Sequence, residues 1–111
     1  MPLARVATEI EAARLLVDDT ARLADSGRYV LELLTRAAMA KYFGAQVAER
    51  AASAAVETFG GNGFSADHPV EKRYRDAKIG QVYEGTSNIL LRAIASGVFN
   101  GVRRSPSVQA A

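Results

Sequence analysis

The chain has 111 residues, enough for one domain whose helices can bury a core without covalent staples. Its 14 Lys and Arg stand against 12 Asp and Glu, a net charge of +2 with both signs mixed along the chain; this points away from nucleic acid even though the isoelectric point is near 9.2. With 49% hydrophobic residues, 23% charged residues and no cysteine, the composition is globular and excludes disulfides and thiolate metal sites, and no apolar run is long enough to span a bilayer.

The opening Met1-Pro2-Leu3-Ala4-Arg5 lacks the charged-then-apolar layout of a secretory signal, so a soluble, cytoplasmic protein is expected. From Leu3 onward, Val6, Ile10, Ala13, Val17, Ala21 and Ala24 recur at steps of three and four. That is one apolar stripe on a helix, widened by Leu15 and Leu16. Asp25-Ser26-Gly27 reads as a break. A long second helix begins near Tyr29, with Val30, Leu33, Leu34 and Ala37 opening its stripe and Ala48, Ala51, Ala52, Ala55, Val56 and Phe59 continuing it. The small residues of its later half allow a neighbouring helix to come close. Gly44 is a tolerated interior glycine, at a cost of roughly 1 kcal/mol relative to Ala.

Gly60-Gly61-Asn62-Gly63 ends that helix abruptly, as a cap followed by a tight turn. After Asp67-His68, Pro69 suits the first turn of a short third helix from Val70 to about Lys78. Ile79 to Gly85 reads as connecting loop. Thr86, Ser87 or Asn88 then caps a fourth helix whose stripe is Ile89, Leu90, Ala93, Ile94 and Gly97. No segment alternates like a strand. The expectation is all-α: a four-helix up-and-down bundle over residues 1–101, with 102–111 a disordered tail around Pro106.

Four features carry possible chemistry. The glycine cluster follows a helix, whereas a dinucleotide-binding fingerprint follows a strand, so its spacing favours a structural turn; its exposed amides could still approach a phosphate. His68 has no partner at ligand spacing, so no metal site is expected and a solvated loop histidine is the plainer reading. Glu71, Lys72, Arg73, Arg75, Asp76 and Lys78 read as a solvated helix face with pairs such as Glu71 with Arg75, though Arg75 and Asp76 could serve a ligand or a neighbouring chain. Glu84 stands beside Gly85 just before a helix. Such a carboxylate is ordinarily a solvated loop residue; to act as a base toward a carbon acid it needs a dry, apolar pocket that raises its pKa.

Three blocks in order carry a resemblance. Gly60-Gly61-Asn62-Gly63-Phe64 is similar to the GGNGF or GGxGY signature of the acyl-CoA dehydrogenase family. Pro69-Val70-Glu71-Lys72-Arg73-Tyr74-Arg75-Asp76-Ala77-Lys78-Ile79 resembles the segment that follows it there. Tyr83-Glu84-Gly85-Thr86-Ser87-Asn88-Ile89 resembles the family's YEGTS-x-I motif. Upstream, Thr8-Glu9-Ile10-Glu11-Ala12-Ala13-Arg14-Leu15-Leu16 is similar to the first helix of the family's C-terminal domain, so the resemblance runs from about Ala4 to about Ala95.

The resemblance implies a C-terminal helical domain of an FAD-dependent enzyme that oxidises an acyl thioester, acyl-CoA or another, between Cα and Cβ. It makes Glu84 the base for the α-proton and sets the Glu84 backbone N–H against the thioester carbonyl. Gly85 would line the substrate path. Thr86, Ser87 and Asn88 would touch FAD near its pyrophosphate, where a helix N-terminus favours anions. Glu57, Gly60 and Gly61 would touch the FAD of a neighbouring subunit in a homo-oligomer. Electron-transferring flavoprotein is the implied acceptor.

One departure is at Glu57, where the family often has Gln; a carboxylate near a pyrophosphate repels it unless paired or protonated. The other is that the family's N-terminal and β domains are absent from these residues. The expectation is therefore a fragment, a truncated reading frame or half of a split enzyme, with weak or no FAD binding alone and a separate chain supplying the other domains. Two further readings stand beside this one: a related flavoenzyme acting on acyl-carrier-protein thioesters, and a non-catalytic helical assembly module.

Overall fold

The computed structural model describes residues 2–103. Among them are four α-helices and one 3-10 turn: α1 (Pro2–Asp25), α2 (Val30–Phe59), the 3-10 turn Gly60–Phe64, α3 (Val70–Ile79) and α4 (Ser87–Arg103), with no strand among the described residues. The all-α, four-helix expectation is met, and each helix falls where its stripe lies. α4 continues through Arg103, two residues past the expected boundary at 101. Gly101 weakens a helix by only about 1 kcal/mol relative to Ala and does not end it. The rest of the expected tail, 104–111, lies outside the described residues.

α2 is the hub. Its 30 residues span about 45 Å at the α-helical rise, and α1, α3 and α4 each pack on it. Asp19 of α1 pairs with Arg36 and Glu9 with Arg50, so rising numbers on α1 meet falling numbers on α2 and the two helices are antiparallel. The rest of the chain then retraces α2 backwards. Gly63 lies on Val56, Lys78 reaches Glu49, Gly80 sits against Ala45, Tyr83 lies under Lys41, and Gly97 touches Thr35. α3 thus covers the C-terminal half of α2 and α4 the N-terminal half, with the loop between them seated at its middle.

The result is long and thin, 61 × 29 × 26 Å, with a radius of gyration of 17.7 Å; a compact domain of about 100 residues has about 13 Å. The core is correspondingly slight. Ala38, Ala45, Val47 and Ala54 of α2 and Val70 of α3 are its buried hydrophobic residues. The small α2 residues do what their size suggests. A Cβ on Gly97 would stand 1.9 Å from Thr35 Oγ1, so α4 approaches α2 at a distance only glycine allows.

On α1 the stripe divides. Val6, Ala13, Leu16 and Leu23 are half-buried toward α2. Leu3, Ile10 and Val17 are exposed. At 100° per residue, the line Leu3–Ile10–Val17 is turned roughly a quarter of the way round from the middle of the packed face. One stripe in the sequence is two seams in the structure, of which α2 covers one.

Candidate functional site

The loop between α3 and α4 is built from overlapping turns. The N–H groups of Gly80 and Gln81 donate to Ala77 O and Lys78 O at 3.2 Å each, and those of Val82 and Tyr83 donate to Ile79 O at 2.9 and 3.1 Å. Glu84 follows in the left-handed region at φ 53, and Gly85 at φ 102. Only Gly takes such values freely; a residue with a Cβ pays roughly 1–2 kcal/mol. The Ser87 N–H closes the loop by donating to Gln81 O at 3.2 Å. Of the three cap candidates, Thr86 does the capping: its Oγ1 accepts the Ile89 N–H at 3.5 Å and its carbonyl accepts the Leu90 N–H at 3.0 Å.

Glu84 is exposed, and among the described residues its carboxylate has neither an ion pair nor a hydrogen bond. Val82 and Tyr83 before it and Ile89 after it are also exposed, which leaves uncovered apolar surface on both sides of it in the sequence. Gly85 is half-buried on Leu90, whose Cδ2 would be 3.2 Å from an added Cβ. Ser87 is half-buried, while Thr86 and Asn88 are exposed. The Asn88 N–H has no acceptor among the described residues, as expected in a first helical turn.

The glycine turn is a separate place. Gly60 sits at φ 60, its N–H donating to Glu57 O, and a Cβ on Gly60 or Gly61 would meet only open space. Gly63 is different: it is buried, and a Cβ there would be 2.3 Å from Val56 O. His68 packs on Phe59, with ring centroids 5.8 Å apart, so it is less solvated than its loop position suggests. Among the described residues no group of His and carboxylates could hold a metal.

Glu57 is exposed and lines a cleft of about 440 Å³ with Arg5, Glu9 and Arg50. Arg50 Nε donates to Glu9 at 2.8 Å and Arg5 Nε at 3.2 Å. The Arg50 hydrogen bond, helped by Arg5, holds the Glu9 carboxyl below the usual range. Glu57 thus shares the cleft with two guanidinium groups, both of which are already bonded to Glu9. Along α2, the glycine turn lies about 20 Å from the seat of the Glu84 loop. A single chain brings Glu84, Gly85, Thr86, Ser87 and Asn88 together and holds Glu57, Gly60 and Gly61 apart from them.

On the charged face of α3, Glu71 pairs with Arg75 at 2.9 Å and Lys72 with Asp76 at 3.5 Å, while Lys78 reaches Glu49 of α2 at 3.1 Å; the Glu71 hydrogen bond raises the Arg75 pKa. Missed by the sequence reading were Lys41, Glu49 and Gln81. Their signal was present: Lys41 and Glu49 are charged residues eight apart on a helix otherwise rich in small apolar ones.

Residues 1–99 match the family model described as acyl-CoA dehydrogenase, C-terminal domain. The short/branched chain specific acyl-CoA dehydrogenase, mitochondrial, of Rattus norvegicus is 50% identical over 96 residues, covering 86% of this chain and 22% of the rat protein. Butyryl-CoA dehydrogenase from Megasphaera elsdenii superposes with a TM-score of 0.82 at 39% identity, covering 88% of this chain and 25% of that one. A chain in a structure described as the electron transferring flavoprotein of Acidaminococcus fermentans superposes with a TM-score of 0.81 at 38% identity, covering 94% and 26%. The chain thus spans about a quarter of the length of the proteins it matches.

Proposed function

The chain belongs to the acyl-CoA dehydrogenase family, as its C-terminal domain, and we propose that it serves a flavin-dependent oxidation of acyl thioesters in which Glu84 removes the α-proton. The observation that carries this is the Glu84 loop itself. A carboxylate unpaired among the described residues is presented in a left-handed backbone, with exposed apolar side chains before and after it in the sequence, beside a glycine and a helix N-terminus.

Each part has work to do. Covering Val82, Tyr83 and Ile89 with the remainder of the enzyme dries the carboxylate, and a dry carboxylate is a stronger base toward carbon. Gly85 leaves room for an acyl chain where a larger side chain would stand. The Glu84 N–H is available to a thioester carbonyl, stabilising the negative charge that builds as the α-proton leaves.

The residues also fit FAD. The free Asn88 N–H, the first turn of α4 and the exposed Thr86 hydroxyl suit a pyrophosphate, and the open space over Gly60 and Gly61 admits a cofactor that a Cβ would touch. Arg5 and Arg50, although bonded to Glu9, bring the cleft that holds Glu57 to electrical neutrality, which lessens the repulsion of its carboxylate toward an anion. FAD held there would supply an acceptor for the hydride that leaves the β-carbon. The two cofactor stations lie about 20 Å apart along α2, and one helical domain does not enclose FAD and a thioester. We therefore assign tight FAD binding to an assembly, a homo-oligomer that includes the family's N-terminal and β domains, with electron-transferring flavoprotein as acceptor and a cytoplasmic location.

The test is Glu84→Gln in the FAD-loaded enzyme, with butyryl-CoA as probe in deuterated water. The expected result is loss of α-proton exchange with thioester binding retained. Exchange at the unsubstituted rate would sink the assignment of the base.

A further inference from the structure

The Glu84 loop has no helix of its own, yet its backbone is held in a strained conformation. The source of that constraint lies on α2. Lys41, Ala45 and Glu49 follow one another at four-residue steps, so they share one face of the helix. Ala45 is the buried centre of that face. Its small side chain lets Gly80 approach, and a Cβ on Gly80 would stand 3.6 Å from the Ala45 Cβ and 3.2 Å from Ala77 O. On either side of this seat a charged group reaches out. Lys41 Nζ donates to the Gly80 carbonyl and stands 4.7 Å from the centroid of the Tyr83 ring. Glu49 accepts from the Gln81 side-chain amide and, at 3.1 Å, from Lys78 Nζ. Lys78 Nζ also reaches Gln81 Oε1 at 3.1 Å, closing a small ring.

These contacts fall on the residues that define the loop. Gly80 is where α3 stops. Gln81 gives its carbonyl to the Ser87 N–H, the bond that closes the loop around Glu84. Tyr83 immediately precedes Glu84. From these contacts the geometry points to Lys41 as a positioning residue for the proton-abstracting carboxylate: it fixes the Gly80 carbonyl and the Tyr83 ring on α2, while Glu49 fixes Gln81, so that Glu84 is held at its left-handed φ. This deepens the reading of Glu84 as the base and rests on it.

The charge on Lys41 is the active element. An ammonium donates to a carbonyl more strongly than a neutral group does and is attracted to an aromatic face. Lys41→Met keeps the stem and loses both interactions; Lys41→Arg keeps both.

The test uses the FAD-loaded enzyme with butyryl-CoA. Lys41→Met is expected to lower kcat about 10-fold with KM changed less than about 2-fold, while FAD content and oligomeric state stay unchanged. Lys41→Arg is expected to restore most of kcat. Amide hydrogen exchange at Ser87, read in parallel, is expected to quicken in Lys41→Met and return to normal in Lys41→Arg. The inference is overturned if kcat is unchanged in Lys41→Met, if kcat falls only in step with lost FAD or lost assembly, or if Lys41→Arg behaves as Lys41→Met does. Glu84→Gln separates the two levels. If that variant keeps α-proton exchange, the base assignment fails whatever Lys41 does; if it abolishes exchange and Lys41→Met is silent, the positioning role alone fails.

Discussion

The glycine-dependent approach of α4 to α2 sets up a sharp stability experiment. At Gly97 an added Cβ would lie 1.9 Å from Thr35 Oγ1, 2.8 Å from Cγ2 and 2.9 Å from Cβ. Ordinary carbon contacts begin at about 3.5 Å. Thr35 cannot step aside by rotating, because it carries two heavy atoms on its Cβ and its hydroxyl already donates to Leu31 O at 3.1 Å. Gly97→Ala therefore drives α4 away from α2 by an ångström or more. Overpacking of this kind destabilises by about 1–3 kcal/mol. Against it stands the helix-propensity gain of Ala over Gly, about 1 kcal/mol. The net expectation is a loss of up to about 2 kcal/mol, which for a domain of this size lowers Tm by up to about 15 °C. The assay is thermal unfolding followed by far-ultraviolet circular dichroism. Thr35→Ala removes Oγ1 and Cγ2 but leaves the 2.9 Å contact, so the double variant should recover part of the loss, with a coupling energy of at least about 0.5 kcal/mol. If Gly97→Ala instead raised Tm, propensity would have won, and α4 would not approach α2 this closely.

Two further outcomes are expected. Hydrogen bonds from Lys78 and then Gln81 hold the Glu49 carboxyl below the usual range; a depressed folded-state pKa contributes stability that is present above the unfolded value and is lost as the pH falls through the lowered folded one. Tm should accordingly fall on the acid side of the ordinary glutamate range. In Glu49→Gln that fall should be shallower and start from a lower neutral Tm, with an unchanged acid profile counting against the pairing. The uncovered α1 seam of Leu3, Ile10 and Val17 should make the chain self-associate in sedimentation velocity, and Ile10→Lys with Val17→Glu should shift it toward monomer. A chain that stays monomeric at all concentrations would show that this seam needs no cover.

The helices were legible because their signals are local. Asp25-Ser26-Gly27, the glycine cluster and the Ile79–Gly85 stretch each interrupt a three-four apolar step, and each became a boundary. The inward face of α1 was not legible. Hydrophobic periodicity records every surface a helix keeps dry, including surfaces dried by other molecules. Val6 and Ala13 meet α2 while Ile10 and Val17 meet water, yet all four sit in the same three-four stripe. The cap was undecided for a related reason: Thr86, Ser87 and Asn88 are all good cap residues, and only the closing bond from the Ser87 N–H to Gln81 O selects Thr86.

Glu84 is the clearest case of a residue whose meaning lies between these levels. By type and neighbours it is an ordinary exposed loop carboxylate, and exposed it remains. Its backbone, however, adopts a conformation for which Gly is the unstrained choice, with Gly85 directly beside it also at positive φ. A turn serving only to join α3 to α4 would lose nothing by having Gly in both places. The chain keeps a carboxylate there against a cost of roughly 1–2 kcal/mol, and supplies two charged residues from α2 to grip the segment that carries it. A residue whose backbone is strained and held from outside, and whose carboxylate pairs with nothing among the described residues, is accounted for by what it presents to solvent: an exposed carboxylate next in sequence to the exposed Val82 and Tyr83.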